Sequence, residues 1–398
     1  MPSSPNLSAP LPPSPSGTLR AVVVPSLFLM AAMFNQTLIV AGLKELMIDD
    51  LGGTTTDASL FFSVEMLAYI LFAPLWGVLS DRWGRRRPLV VVGFAMSSVL
   101  YLSYPYVHSI PSLLALRFVQ GAFTVMGWST LMSMVLDQPD EARRGRYMGL
   151  MGGALILGVS LGAPIGGFVS RDLGTRAPLW VAGGLFMILA LGSLALPEQE
   201  RLRRQLRLGD IFSTLKGRPR LLLPCIFQFV DRYTVGFMVV LFPQYLESIA
   251  GADPAVRGKY LALFLLPFAF LQYFAGRLSE KTGPYLPLFA GSLLYGIAMC
   301  FVGFSDQQGL WWVMVSLGVL ASLMFPPAIT LTAQLSDPET RGSAMGGFNL
   351  AGSLGFAIGP LVGTWAHATG GFGFAFIVSG SLEILLVAVA WWVVRRWR

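Results

Sequence analysis

Charged side chains are scarce in this sequence. Only 12% of the 398 residues are Asp, Glu, Lys or Arg, whereas 54% are hydrophobic. A soluble domain of average composition carries about 25% charged residues. A soluble all-helical protein would also need polar faces on its helices, and most of the apolar runs have none. The composition therefore excludes an ordinary soluble protein and predicts an all-α polytopic membrane protein.

Groups that bind metals or nucleotides are also scarce. The two cysteines, Cys225 and Cys300, lie in different apolar runs and form no Cys-x-x-Cys metal motif. No Gly-x-x-x-x-Gly-Lys-Ser/Thr loop is present, which argues against ATP hydrolysis as an energy source. No nucleophile–base pair shares a depth in the apolar runs. The sequence thus predicts no metal, no cofactor, no nucleotide and no enzymatic activity.

Long apolar runs, in contrast, repeat through the whole chain. Each has near 20 residues, enough to cross about 30 Å of hydrocarbon as a helix. We count about twelve, at residues 20–46, 57–80, 88–107, 110–136, 145–170, 177–196, 219–246, 258–279, 285–305, 310–335, 343–367 and 372–394. Basic residues cluster in alternate loops and near both ends, so the positive-inside rule places both termini in the cytoplasm. The net charge of +7 then reflects topology in a lipid bilayer, not nucleic-acid binding.

The chain also repeats itself. Residues 77–88 and 276–284 share glycine, Leu-Ser, an acid, a base and glycine in the same order. Residues 144–149 return in similar form at 341–346. Such a period, near half the chain, indicates a duplicated unit. We therefore expect a disordered cytosolic tail at 1–18, pseudo-symmetric six-helix bundles at 19–197 and 219–398, and a cytosolic linker with a surface helix at 198–218.

Three acids lie deep inside apolar runs, away from the run ends, where each charge is disfavoured by about 2.5–3.5 kcal/mol on insertion scales. They are Glu65 in the second span, Asp231 in the seventh and Glu383 in the twelfth, and all are candidates for proton coupling. Arg117 in the fourth span lies at a depth similar to that of Glu65, so we expect these two to pair. We expect Arg232 to turn towards Glu383 and leave Asp231 facing a cavity. A purely structural network of Asp231 and Arg232 is the alternative.

Uncharged polar residues mark the same height in both halves. Residues 35–37 coincide with residues near 232–234 when the halves are offset by 197 positions. Helix–helix hydrogen bonding and the lining of a cavity both account for polar groups at that depth. The candidates for a substrate cavity are Asn35, Gln36, Gln120, Gln228, Tyr233 and Asn349.

Glycines recur every fourth residue in the fifth and eleventh spans. Such spacing places them on one helix face and lets another helix approach closely. The two sets are Gly158, Gly162 and Gly166, then Gly355, Gly359 and Gly363. We expect these two helix faces to form the surfaces along which the halves slide past each other.

Several motifs resemble those of the major facilitator superfamily. Residues 77–88 resemble its signature loop between the second and third spans, and residues 117–121 resemble its fourth-span motif. The fifth-span glycines around Pro164 resemble the motif associated with its antiporters, although the proline is displaced by one residue. The chain looks most like the twelve-span drug–proton antiporters of that superfamily.

The resemblance implies a secondary active transporter with two bundles around one central site. We expect a monomer in the bacterial inner membrane that exports a small hydrophobic or amphipathic compound in exchange for protons. Proton-coupled uptake, lysolipid-type lipid transport and a transport-dead membrane sensor remain alternatives.

The resemblance also implies a gate at the cytoplasmic end. Asp81 would cap the positive N-terminus of the eleventh span. Arg85 would reach Asp137, and Glu280 would make the mirrored contact to the fifth span. The gate candidates are Gly77, Asp81, Arg82, Gly84, Arg85, Asp137 and Glu280.

Overall fold

The computed structural model describes residues 15–83, 85–136, 144–197, 208–337 and 340–396. Within these ranges the chain forms helices and no strand. The α-helices are α1 (Pro15–Leu38), α2 (Thr55–Trp83), α3 (Arg87–Ser103), α4 (Ile110–Leu136), α5 (Arg144–Leu173), α6 (Ala177–Ser193), α7 (Leu208–Gly217), α8 (Leu222–Ala250), α9 (Pro254–Thr282), α10 (Tyr285–Phe301), α11 (Gln307–Ser322), α12 (Phe325–Gln334) and α13 (Arg341–Arg395). A π-helix, Glu45–Asp50, lies between α1 and α2.

The described residues contain the twelve spans that the sequence predicts. Ten helical stretches are long and apolar enough to cross a membrane, and α6 is a shorter apolar helix of 17 residues. The longest stretch, α13, counts as two spans because Gly370 and Gly371 interrupt it. Gly371 has φ +79°, a conformation that favours glycine. The eleventh span is therefore residues 341–369, and the twelfth is residues 372–395.

The tenth span also departs from a single continuous helix. It consists of α11 and α12, which are separated at Leu323 and Met324. Pro326 and Pro327 follow directly, in the first turn of α12. Proline is tolerated in a first helical turn but not in a helix interior, which explains why the helix restarts here.

The two halves have the same internal arrangement. In the N-terminal half, α1 packs on α5, α2 on α4, and α3 on α6. In the C-terminal half, α8 packs on the eleventh span, α9 on α11, and α10 on the twelfth span. This correspondence is what a duplicated six-helix unit predicts. The fold is that of an all-α polytopic membrane protein with two pseudo-symmetric bundles.

The halves meet along two seams, α5 on α9 and α2 on the eleventh span. Twelve crossings return the chain to its starting side, so we name the ends of the bundle by the termini. The terminal end carries residues 15 and 396, and the distal end lies opposite. Towards the distal end Ser59 of α2 hydrogen-bonds Thr364 of the eleventh span. Nearer the middle, Ser160 Oγ of α5 donates to the Leu265 carbonyl of α9 at 2.8 Å.

The seams open towards the terminal end. A Cβ added at Gly77, Gly152 or Gly153, in the terminal portions of α2 and α5, would meet no atom within 4 Å. The contacts that join the halves through Lys44, Ser59, Ser160 and Arg257 lie at the distal end or near the middle. The halves are therefore closed together at the distal end and apart at the terminal end.

The glycine faces correct one expectation. Methyl groups at Gly158, Gly162 and Gly166 would overlap oxygens of α1, and methyl groups at Gly355, Gly359 and Gly363 would overlap atoms of α8. Both faces therefore allow a close approach, but to a helix of their own half. The expectation that they slide between the halves is wrong. A spacing of four residues specifies a closely packed face and not the neighbour that packs on it.

Candidate transport site and gates

A buried charge network occupies the middle of the N-terminal half. Arg117 Nη2 lies 2.6 Å from Glu65 Oε2, and both side chains are at most 1% exposed. Arg117 Nη1 also donates to the Tyr101 hydroxyl at 2.7 Å and to Gln120 Oε1 at 2.9 Å. Tyr69 donates to Glu65 Oε1 at 3.1 Å. The expected contact between Glu65 and Arg117 is thus made, and neutral hydrogen-bonding groups surround it.

Asp231 in the C-terminal half has far fewer polar contacts than Glu65. It is 2% exposed, and neither carboxylate oxygen has a hydrogen-bond partner among the described residues. Its ion-pair partner is Arg232, whose Nε lies 3.6 Å from Asp231 Oδ2, beyond ordinary hydrogen-bond length. Tyr295 and Glu383 are near enough to interact with Asp231 electrostatically. This acid is therefore compensated by one loose ion pair.

Glu383 does not pair with Arg232, contrary to the expectation. Ser292 Oγ of α10 donates to Glu383 Oε1 at 2.7 Å, and Oε2 has no hydrogen-bond partner among the described residues. The Arg232 guanidinium instead lies 4.6 Å from the Phe325 ring centroid and 5.6 Å from that of Phe356. The rotation of α8 about its axis decides this outcome, because adjacent helical residues point about 100° apart. That rotation turns Arg232 away from α10.

The polar candidates of the N-terminal half divide between packing and the cavity. Asn35 Nδ2 donates to the Ala182 carbonyl of α6 at 3.1 Å, a contact inside the half. Gln120 belongs to the Arg117 network. Gln36 Nε2 lies 3.8 Å from the Met66 sulfur of α2. Of these three amides, Gln36 has the weakest hydrogen bonding, and its place in a substrate cavity stays a prediction.

The C-terminal half leaves more polar groups unsatisfied. Gln228 Oε1 is buried without a hydrogen-bond partner among the described residues. Asn349 is exposed on the eleventh span. Two further buried hydroxyls, which were not predicted from the sequence, lie close to polar neighbours: Ser379 is near Tyr233, and Tyr295 is near Thr234. Each is a polar residue in an apolar run that packs against the span carrying Asp231, and that pattern could have indicated it.

Much of the expected cytoplasmic gate lies outside the described residues. Outside them are Gly84, Asp137 and the side chains of Asp81 and Arg82. Gly77 faces open space, and Arg85 and Glu280 are exposed and pair with no described residue. These three residues lie at the terminal end, where the halves are apart. The roles expected for the gate residues remain predictions.

A second set of charges, which the sequence analysis did not single out, joins the halves at the distal end. Lys44 Nζ lies 3.3 Å from Glu247 Oε1 at the end of α8. Glu45, in the π-helix, pairs with Arg257 of α9, whose side chain is 1% exposed. The charged residues that flank the first, seventh and eighth spans in the sequence could have indicated this contact. The two pairs close the distal end across the seam between the halves.

These features define a two-bundle membrane transporter fold with a polar centre. The Major Facilitator Superfamily family model matches residues 26–230 and again residues 224–397. The chain therefore belongs to the Major Facilitator Superfamily. The family and the relatives named below are transporters and not enzymes.

Three comparisons illustrate the similarity. The human synaptic vesicular amine transporter is 24% identical over 358 residues, covering 86% of this chain and 68% of that protein. Multidrug resistance protein MdtG of Serratia proteamaculans (strain 568) is 23% identical over 386 residues, covering 93% of this chain and 92% of that protein. The crystal structure of a mutant of the nucleoside transporter NupG matches with a TM-score of 0.78 at 12% identity, covering 94% of this chain and 98% of that one.

Proposed function

We propose that this protein exports a small hydrophobic or amphipathic compound by alternating access, driven by the entry of protons. The observation that carries the proposal is the arrangement of the halves, closed at the distal end and apart at the terminal end. That is one of the two states between which a transporter with a central site alternates. Similarity to a multidrug resistance protein supports export of amphipathic compounds. We place the chain in a bacterial inner membrane as a monomer, with both termini and the open end towards the cytoplasm.

Asp231 is the acid that we propose binds the coupling proton. A carboxylate inside the membrane persists only beside water or a cation. Asp231 has one cation at 3.6 Å and, among the described residues, no hydrogen bond. Glu65, in contrast, receives three donors, from Arg117, Tyr69 and Gln120. A change of protonation is therefore better tolerated at Asp231. Glu383 is the second candidate, because one of its oxygens is unpaired in the described structure.

The substrate would bind where the two halves face each other at mid-depth. The Phe62 ring of α2 and the Phe356 ring of the eleventh span have centroids 6.0 Å apart and cross the seam at this level. Gln36 and Met66 approach from the N-terminal half. Aromatic and methionine side chains suit an adaptable apolar site with few fixed polar groups.

The test uses inside-out vesicles and the uncharged amphipathic dye N-phenyl-1-naphthylamine. Wild-type protein should accumulate the dye when a proton gradient is imposed and only equilibrate it otherwise. Asp231→Asn should still equilibrate the dye but lose the accumulation. The matched control is Asp172→Asn, an exposed acid at the distal end, which should keep both activities. Full gradient-driven accumulation by Asp231→Asn would place the coupling acid elsewhere.

Proton-coupled uptake is the second candidate, and the adjacency of Asp231 and Arg232 favours it. A proton on Asp231 would release Arg232 from its loose ion pair at 3.6 Å. An anionic substrate could then take the guanidinium, so the proton and substrate would bind together and move in the same direction. Reversing the gradient in the same vesicles distinguishes this mechanism from exchange.

A further inference from the structure

Arg232 holds a charged head with unused donors at the centre of the protein. A guanidinium carries five N–H donors in a planar fork. Arg232 donates no hydrogen bond to any described residue, and its contact with an acid is through Nε at 3.6 Å. The Nη edge of the fork, which is the edge that binds carboxylates in pairs of hydrogen bonds, is therefore unoccupied by the described part of the protein.

Two aromatic rings hold this head in place. The guanidinium carbon of Arg232 lies 4.6 Å from the Phe325 ring centroid and 5.6 Å from that of Phe356, and both distances are within cation–π range. Phe356 in turn contacts Phe62 across the seam between the halves. The Arg232 side chain is 15% exposed, whereas Asp231 is 2% exposed. Of the two neighbouring charges, the cation is therefore the more accessible.

Gln228 lies beside Arg232 on the same face of α8. The two residues are four apart, so their side chains are neighbours on the helix surface. A methyl group at Gly352 of the eleventh span would lie 2.6 Å from Gln228 Nε2 and 3.2 Å from Arg232 Cγ. Both side chains therefore pass over one point of that span. Gln228 Oε1 is also buried without a partner among the described residues.

We propose that Arg232 is a subsite for the anionic group of an aromatic or amphipathic substrate, with a carboxylate as the simplest case. The fork would bind two acceptor oxygens, the Gln228 amide would add a polar contact, and the rings of Phe325 and Phe356 would face the apolar part. The inference rests on the central site of the proposed function, and because an anion on Arg232 would bind together with a proton on Asp231, it favours the uptake mechanism over exchange.

Chemical labelling tests the exposure of Arg232 without any transport step. Purified protein in phosphatidylcholine nanodiscs is treated with phenylglyoxal, which modifies arginine, and the sites are mapped by mass spectrometry. Arg232 should be modified, while Arg117, which is 0% exposed, should not be. With 1-naphthoate at about ten times its Kd, modification of Arg232 should slow about tenfold. The uncharged isostere 1-naphthamide should give no such protection.

Binding measurements then test the charge preference. The melting temperature of the wild-type protein should rise more with 1-naphthoate than with 1-naphthamide or 1-naphthylmethylammonium. Arg232→Met should abolish this difference, and Arg232→Lys should retain part of it, because a point charge replaces the fork. The control is Arg395→Met, which removes an arginine 4.0 Å from the Trp391 ring at the end of the twelfth span and should change nothing.

The possible results separate clearly. An unmodified Arg232, or equal effects of the anion and its amide on the wild-type protein, would overturn the proposal, even if Arg232→Met failed to fold. Protection by phosphatidylglycerol nanodiscs without naphthoate would assign the anion to a lipid headgroup and overturn a soluble cargo. Since labelling and melting need no gradient, failure of proton-driven export would leave both readouts intact.

Discussion

The buried pair of Glu65 and Arg117 should be strongly coupled in a double-mutant cycle. Removing one member of a buried ion pair typically destabilises a protein by about 3–5 kcal/mol, because the other charge is left uncompensated. Glu65→Gln should be the milder change, since Arg117 keeps Tyr101 and Gln120 as acceptors. Arg117→Met should be the more severe, since Glu65 keeps only neutral donors, at 3.1 and 3.3 Å.

The double variant buries no charge and should therefore lose less than the sum of the single variants. We expect a coupling energy on the order of 2–3 kcal/mol. Equilibrium unfolding in mixed dodecyl sulfate micelles, followed by tryptophan fluorescence, measures the four proteins of the cycle. Transport by the same proteins shows whether the network matters beyond stability.

The chain offers a matched control pair. Arg171 Nε and Asp172 Oδ1 are also 2.6 Å apart, but these side chains are 40% and 55% exposed. Water screens such a pair, so its coupling energy should be small. If the cycle of Glu65 and Arg117 gave no more coupling than this control, burial would not be the reason for its strength, and our account of the network would be wrong.

Three further predictions concern the gates and the helix contacts. Glu45→Gln should weaken distal closure by about 1 kcal/mol, or about fivefold in population, because Arg257 loses its acid. Distances between spin labels placed across the distal seam should lengthen, and unchanged distances would contradict the prediction. Gly162→Ala should destabilise the fold by about 1–3 kcal/mol through overlap with α1, whereas Gly152→Ala, with open space beside it, should not; equal unfolding curves would refute the contrast. Asp81→Asn should remove about 0.3–2 kcal/mol of helix-end stabilisation, favour the state open at the terminal end and slow turnover; unchanged transport and accessibility would exclude that role.

Most of the fold could be predicted because membrane insertion constrains it strongly. Apolar length identifies spans directly, and the repeated loop at residues 77–88 and 276–284 identifies the duplication. The break within the tenth span was less evident, because the hydropathy of residues 307–334 continues through it. Gly370 and Gly371 separate the last two spans by backbone conformation and not by polarity. Length and composition therefore predict where spans occur but not their internal breaks.

The site was predicted less completely because contacts depend on helix rotation. The depths of Glu65 and Arg117 sufficed to pair them, since two opposite charges at one level inside a bundle have few other partners. Depth did not suffice for Arg232 and Glu383, where a neutral serine and two aromatic rings supply the contacts instead. The prediction for the glycine faces was wrong for the same reason, since the spacing of glycines fixes a helix face and not the helix that packs on it.

The duplicated halves place polar groups at one height but compensate charge differently. In the N-terminal half Glu65 and Arg117 neutralise each other at 2.6 Å within a hydrogen-bonded shell. In the C-terminal half Asp231 and Arg232 are 3.6 Å apart, and oxygens of Asp231 and Glu383 lack partners among the described residues. An uncompensated charge in the membrane gains most from a proton or a counter-ion. We therefore expect protons and anionic ligands to act on the C-terminal half, while the N-terminal half keeps its charge state as the cavity changes sides.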